Sequence, residues 1–290
     1  MGLGGRGLLG LVLCLGGCVG APDAACATAT CEGAHCLMVT ELMASESSLL
    51  DEDGRASDWI EIHNASERAL SLAGYSLTDD AAAPRQWRLP SRCVPAGGYL
   101  VVFASGRDRA PTEGELHASF ALSRQGEYLA LVDASGRARS EYSPSYPAQQ
   151  DGVSYGLAFA GGVPQPTSQR YFAIPTPGGP NSEGVATITE PPVFSVAGTT
   201  FSGALDVELT PATAGAVIRY TLDGSDPQES SPAYSEPVQV DRTLVLKARA
   251  YADGALPSRI VEERYVEIED DLAAFSSDLP IVLVHTMGPQ

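Results

Sequence analysis

From Leu37 to Gly156 apolar and polar residues alternate in short runs, and each run is bounded by turn residues. A period of two sends successive side chains to opposite faces of a strand, so this alternation predicts β-strands. The clearest runs are Leu37–Met43, Trp59–His63, Gln86–Leu89, Tyr99–Ala104 and Tyr128–Asp133. Between them lie Asp53-Gly54, Gly97-Gly98, Ser105-Gly106 and Ser135-Gly136, all suited to tight turns. Ile60 and Ile62 face one way from their strand and Trp59 and Glu61 the other, which predicts one core face. Asp58 and Asn64 flank that strand and are expected to cap turns through nearby backbone N–H groups. A second set follows: Leu205–Thr210, Val217–Leu222, Thr243–Tyr251 and Arg259–Val266, with Leu244, Leu246, Ala248 and Ala250 on one face. Many short strands separated by turn signals predict an all-β chain of two tandem antiparallel β-sandwiches.

The expected boundaries are 37–157 for the first sandwich and 191–266 for the second. Between them, residues 158–190 carry Gly161-Gly162, Pro164, Pro166, Pro175, Pro177, Gly178-Gly179 and Pro180. They read as a closing segment and a Pro/Gly-rich linker. Residues 267–290 open with Glu267, Glu269, Asp270 and Asp271, and carry no base. They read as an acidic spacer leading to the strand-like run Asp278–Thr286.

Residues 1–17 read as an export signal: Arg6, then the apolar run Leu8–Leu15, then Leu15-Gly16-Gly17-Cys18. That run is too short to cross a hydrocarbon layer about 30 Å thick. The closing tetrapeptide resembles a bacterial lipoprotein box. The resemblance implies that Cys18 is lipidated and becomes the first mature residue, with Val19 after it pointing to the outer membrane or cell surface. An ordinary signal peptide cut after Ala21 is the alternative, and both export the chain. In the mature tether, 18–36, and the first sandwich, Cys26, Cys31, Cys36 and Cys93 remain. An even number in an exported chain predicts two disulfides, expected as Cys36 with Cys93 and Cys26 with Cys31. A zinc site from Cys26, Cys31, Cys36 and His35 competes with that reading, although its spacing departs from that of structural zinc sites.

Composition changes this picture in two ways. Apolar residues make up 44% and charged residues 19% of the chain, which rules out wholesale disorder. Thirty-six acids against 18 bases leave a net charge of −18 that repels phosphate backbones, so no nucleic-acid partner is expected.

Candidate chemistry is sparse. His35, His63, His117 and His285 show no metal-ligand spacing, there is no nucleophile elbow, and the sole lysine, Lys247, lies in no phosphate-binding loop. Glu61 and His63 share a strand face and are expected to form a surface pair. Asp51, Asp53 and Asp58 are the one calcium candidate, since hard cations take clustered carboxylates; the acids needed to complete such a loop are missing. No other cofactor is expected.

Longer motifs carry two resemblances. Thr40-Glu41-Leu42-Met43-Ala44, Asp58-Trp59-Ile60-Glu61-Ile62-His63-Asn64 and Leu72-Ala73-Gly74-Tyr75-Ser76-Leu77-Thr78-Asp79 resemble a lamin tail domain. Trp87, Leu89-Pro90, Phe120–Ser123, Val153–Gly156 and the closing Pro175–Asn181 continue the pattern in order. The resemblance implies an immunoglobulin-like sandwich, used in bacteria as an accessory module of exported proteins. Ile218-Arg219-Tyr220-Thr221-Leu222-Asp223-Gly224-Ser225-Asp226-Pro227, with Tyr234, Pro237, Lys247–Tyr251 and Tyr265, resembles the C-terminal accessory domain of chitobiases and β-hexosaminidases. This second resemblance implies a fibronectin-like sandwich, so the fold expected is two tandem immunoglobulin/fibronectin-like β-sandwiches. In the second, Tyr220, Tyr234 and Tyr251 are the residues with faces suited to sugar stacking, against their reading as core or cross-strand partners. Leu279-Pro280-Ile281-Val282 resembles the opening of a CotH-type kinase domain, which implies a truncated downstream domain.

These readings converge on a non-catalytic, surface-anchored binding, adhesion or display protein. Its expected partners are an envelope protein or polysaccharide, and the membrane through the lipid. The alternatives are the accessory part of a longer CotH-type kinase-like enzyme, or a carbohydrate-binding accessory protein.

Overall fold

The computed structural model describes residues 35–45 and 48–270. Cys18, Cys26, Cys31 and the run Asp278–Thr286 lie outside the described residues.

The first sandwich contains β1 (Leu37–Met43), β2 (Asp58–Asn64), β3 (Leu70–Ser71), β4 (Ser76–Thr78), β5 (Trp87–Arg88), β6 (Cys93–Val94), β7 (Tyr99–Ala104), β8 (Leu116–His117), β9 (Leu129–Val132), β10 (Ala138–Tyr142), β11 (Ser154–Ala160) and β12 (Val163–Phe172). One sheet has the order β12-β11-β1-β2-β7-β8 and the other β10-β9-β4-β5, with β3 and β6 as a short ladder. Leu37, Val39, Ile60, Ile62 and Val102 from one sheet share a core with Leu77, Trp87, Leu129, Leu131 and Tyr142 from the other. β1 bulges between Val39 and Glu41. Its backbone is held there by the other sheet: Ser140 Oγ lies 3.1 Å from Val39 N, and Tyr142 donates to Val39 O at 3.1 Å.

At that bulge β11 approaches β1 very closely. A Cβ on Gly156 would stand 2.0 Å from Thr40 O and 2.8 Å from Glu41 Cα, both backbone atoms. Gly156→Ala therefore forces two strands apart, and is expected to cost about 3 kcal/mol by overpacking. Urea denaturation measures it, and an unchanged midpoint contradicts the prediction.

Two expectations change. β2 does not have one core face and one wet face, because every residue from Trp59 to Asn64 is buried. The isoleucines enter the main core, while Trp59 packs on the other side with Met43 and Phe103, and Glu61 lies under the closing segment. The expected domain end at 157 falls inside β11, and the sheet continues through the ten residues of β12. Pro164 and Pro166 fit in β12 because an outer strand does not need every N–H for a ladder.

The second sandwich contains β13 (Val193–Phe194), β14 (Thr200–Phe201), β15 (Leu205–Val207), β16 (Leu209–Thr210), β17 (Val217–Thr221), β18 (Val238–Val240), β19 (Leu244–Tyr251) and β20 (Val261–Glu267). Its main sheet has the order β14-β20-β19-β17, with ladders β13-β16 and β15-β18. In β19, Leu244, Leu246, Ala248 and Ala250 are buried and the residues between them half-buried, as the alternation predicts. The single strand expected over Leu205–Thr210 breaks at Glu208, whose N–H goes to Ser195 Oγ at 2.8 Å, so its halves pair with different partners.

The linker is hydrogen-bonded on both sides. Val185 and Tyr171 exchange backbone bonds of 3.0 and 2.8 Å, tying it to the first sandwich. Leu256 N donates to Thr187 O at 3.0 Å, and Thr189 N to Leu256 O at 2.8 Å, tying it to the second.

Candidate functional site

The calcium candidates occupy the loop between β1 and β2. Asp51 Oδ1 accepts from the backbone N–H groups of Asp53 at 2.9 Å and Arg55 at 3.0 Å, which is Asx-turn chemistry. Its other oxygen pairs with Arg107, which also pairs with Asp53. Arg109 reaches Asp53 at 3.0 Å and Glu52 at 3.3 Å. Burial pushes the Asp51 carboxyl up, but the Arg55 N–H and the Arg107 guanidinium outweigh it and bring it to about 2. Asp58 is elsewhere. Its Oδ2 accepts from Leu122 N at 3.2 Å, across 64 residues of chain, so it does not cap the local turn. Burial raises its carboxyl to about 6. The three aspartates therefore do not converge, and a guanidinium stands where the loop would hold a cation. Asn64 does act locally: its Oδ1 accepts from Ser66 N at 3.0 Å, and its amide donates to Arg68 O at 2.8 Å.

Beside this loop, on β8, His117 is fully buried and stacked on Phe103 with ring centroids 5.4 Å apart. Its Nδ1 lies 3.1 Å from Ser105 Oγ. Its Nε2 has no hydrogen-bond partner and is 3.8 Å from Glu115 Oε2. Glu52 N donates to the same Glu115 oxygen at 2.6 Å. Ligand atoms of Glu52, Glu115 and His117 all lie within 4.8 Å of one another. The available sequence signal was Glu115-x-His117, a two-residue spacing that keeps both side chains on one face of extended chain.

Two carboxylates are buried on the central strands of the same sheet. Glu41 and Glu61 are register partners on β1 and β2, both fully buried. Glu61 accepts from Thr40 Oγ1 at 2.6 Å and Gly178 N at 2.7 Å. Glu41 accepts from Ser154 Oγ, and from Thr176 N and Oγ1 at 3.1 Å. Asn181 then locks the segment by donating to Thr40 O and Leu157 O, each at 2.8 Å. This explains the run Pro175–Asn181: it covers the outer face of the sheet and supplies the donors that two buried acids require. Burial, with Glu41 adding repulsion, raises the Glu61 carboxyl to about 8. The expected surface pair of Glu61 with His63 is absent. His63 Nδ1 instead lies 3.1 Å from Gly98 O, and its ring stacks on Tyr99 at 4.2 Å.

The three tyrosines form no common platform. Tyr220 and Tyr234 pack against the second core, while Tyr251 stands on the opposite face of β19, its hydroxyl donating to Pro227 O at 3.0 Å. Cys36 and Cys93 are both disulfide-bonded.

A cleft of about 840 Å³ lies where the linker joins the sandwiches. Arg124, Gln149, Gln150 and Tyr171 line it from the first sandwich, Thr189 from the linker and Arg259 from the second. Gln149 Oε1 and Thr189 Oγ1 have no hydrogen-bond partner although both residues are buried. Sequence reading missed this cleft because its walls are about 130 residues apart and acquire meaning only when the linker pairs with Leu256.

No curated protein matches the chain. Residues 34–145 match the family model of the Lamin Tail Domain, and residues 196–262 that of the Chitobiase/beta-hexosaminidase C-terminal domain. The first span stops short of β11 and β12 and the second lies within the second sandwich; both are non-catalytic modules, and the chain carries a lamin tail domain followed in tandem by a chitobiase/β-hexosaminidase C-terminal domain.

Proposed function

We propose that the chain is a non-catalytic, surface-anchored binding module of an exported protein, held by a lipid on Cys18. On this reading its partner is an envelope polysaccharide that seats in the cleft between the sandwiches. The observation that carries it is a cleft with polar walls, lined by Gln149, Gln150 and Thr189 together with Arg124 and Arg259. Amide, hydroxyl and guanidinium side chains in one concave site suit a hydroxyl-rich ligand. Arg124, 3.1 Å from Asp151, and Arg259, which has no ion pair among the described residues, suit carboxylate groups on such a ligand. The expected Cys36–Cys93 disulfide belongs to this proposal as a structural tie that keeps the exported module folded.

The test is co-sedimentation of the mature chain with purified envelope polysaccharide, beside Arg259→Glu. Retention that falls at least tenfold in the variant supports the cleft. No retention of the native chain, or equal retention of both, overturns it. An envelope protein as partner instead would appear as retention on envelope protein alone. The accessory part of a longer kinase-like enzyme is the second reading, favoured by the run Asp278–Thr286, and downstream genomic sequence decides it.

A further inference from the structure

We propose that Glu52, Glu115 and His117 form a binding site for one divalent transition-metal ion, with zinc the best-fitting ion. The starting observation is the imidazole of His117. If Nδ1 carries the proton, it donates to Ser105 Oγ and leaves a buried lone pair on Nε2 facing two carboxylates. If Nε2 carries it, that proton has no acceptor, since the nearest acid oxygen is 3.8 Å away. Both tautomers leave Nε2 unsatisfied in the protein alone. The first is the arrangement of a metal-binding histidine, whose second nitrogen donates to a neighbouring acceptor and fixes the ring. Ser105 Oγ already accepts from Arg107 Nε at 3.1 Å, so its position is itself held.

The distances fit. Zinc bonds to imidazole nitrogen and carboxylate oxygen are about 2.0–2.2 Å, and two of them span up to about 4 Å. The 3.8 Å between His117 Nε2 and Glu115 Oε2 therefore accepts an ion with little movement. Glu52, exposed on its loop, closes the third side, and water completes the coordination sphere. The two carboxylates carry the charge a dication needs. Asp51 is engaged with Arg107, and Arg109, 3.3 Å from Glu52, is the exposed cation an ion would displace. An imidazole ligand selects for zinc and its neighbours over calcium or magnesium, which take oxygen. Such an ion would tie the β1–β2 loop to β8, at the outer edge of the first sheet.

The experiment uses the chain without a histidine tag, stripped with chelator, and titrated with zinc chloride by calorimetry, beside Glu115→Gln and Glu52→Gln. Both substitutions lie outside the core, and circular dichroism confirms that the variants are folded. One zinc per chain is expected, with Kd raised at least tenfold in Glu115→Gln and a zinc-dependent rise in Tm that this variant loses. Absence of zinc binding overturns the proposal. So does binding that is unchanged in both variants, which places the ion elsewhere, or calcium binding as tight as zinc.

Discussion

Replacing Trp59 with alanine is expected to lower the unfolding free energy by about 3–5 kcal/mol, the usual range for truncating a large buried aromatic. Trp59 is 1% exposed, yet it does not belong to the main core. It projects from the outer face of β2, where its register partners are Met43 on β1 and Phe103 on β7. Those three form a second cluster, with Leu49 and Val101 packed against it. Truncation removes the largest member of that cluster and leaves a cavity between strands whose backbone ladders resist collapse. Urea denaturation at fixed pH measures the loss. A change under about half a kcal/mol would mean that Trp59 contributes no core packing, since deletion of buried methylenes costs more than that.

Relative to Glu61→Gln, stability is expected to fall by about 1.4 kcal/mol per pH unit from about pH 5.5 to 7 and to level off above about 8, because one group then differs by nearly a full proton between folded and unfolded chains. That group is Glu61. Its ordinary value of 4.5 rises to about 8 in the fold, so folded Glu61 holds a proton that the unfolded chain has lost. A raised value gives stability that is complete below the ordinary value and is lost as pH climbs through the folded one. Asp58, raised to about 6, acts with the same sign at lower pH, and Glu41 is also raised by burial. His63 and His117 act oppositely, because burial lowers both from 6.5, so the unfolded chain binds more protons on them around that pH. Asp51, lowered to about 2, and Asp133, held below the usual carboxylate range, contribute stability present above 3.8 and lost toward acid. Glu127 is raised by burial as well, so it is the comparison with Glu61→Gln, which keeps the shape without the ionisation, that isolates Glu61. Urea midpoints should decline more steeply with pH in the native chain than in Glu61→Gln. Parallel profiles would show that Glu61 is ionised at neutral pH like an ordinary surface acid.

Much of the fold was legible because a strand's alternation is local. The runs Leu37–Met43 and Tyr99–Ala104 coincide with β1 and β7. The motif around Asp223-Gly224 marked the second sandwich through its resemblance to the chitobiase-type domain, and turn geometry explains why those residues stand together. The same local logic failed for β12, where prolines suggested a linker and an outer strand accepted them. It also failed for Asp51, Asp53 and Asp58. Three acids close in sequence suggested one cation, but Arg107 and Arg109 arrive from the far end of β7 to neutralise that loop.

The sequence by itself determined the two all-β modules, their order and the positions of the longer alternating strands such as β1, β2, β7 and β19, since these follow from periodicity and turn chemistry within a few residues. The tertiary structure alone decided which polar groups are satisfied. Glu41 and Glu61 find donors in the segment Thr176–Gly178, more than 110 residues away, whereas His117 Nε2, Gln149 Oε1 and Thr189 Oγ1 find none among the described residues. Burial and hydrogen-bond partners depend on which distant segments cover a strand, and no local pattern encodes that.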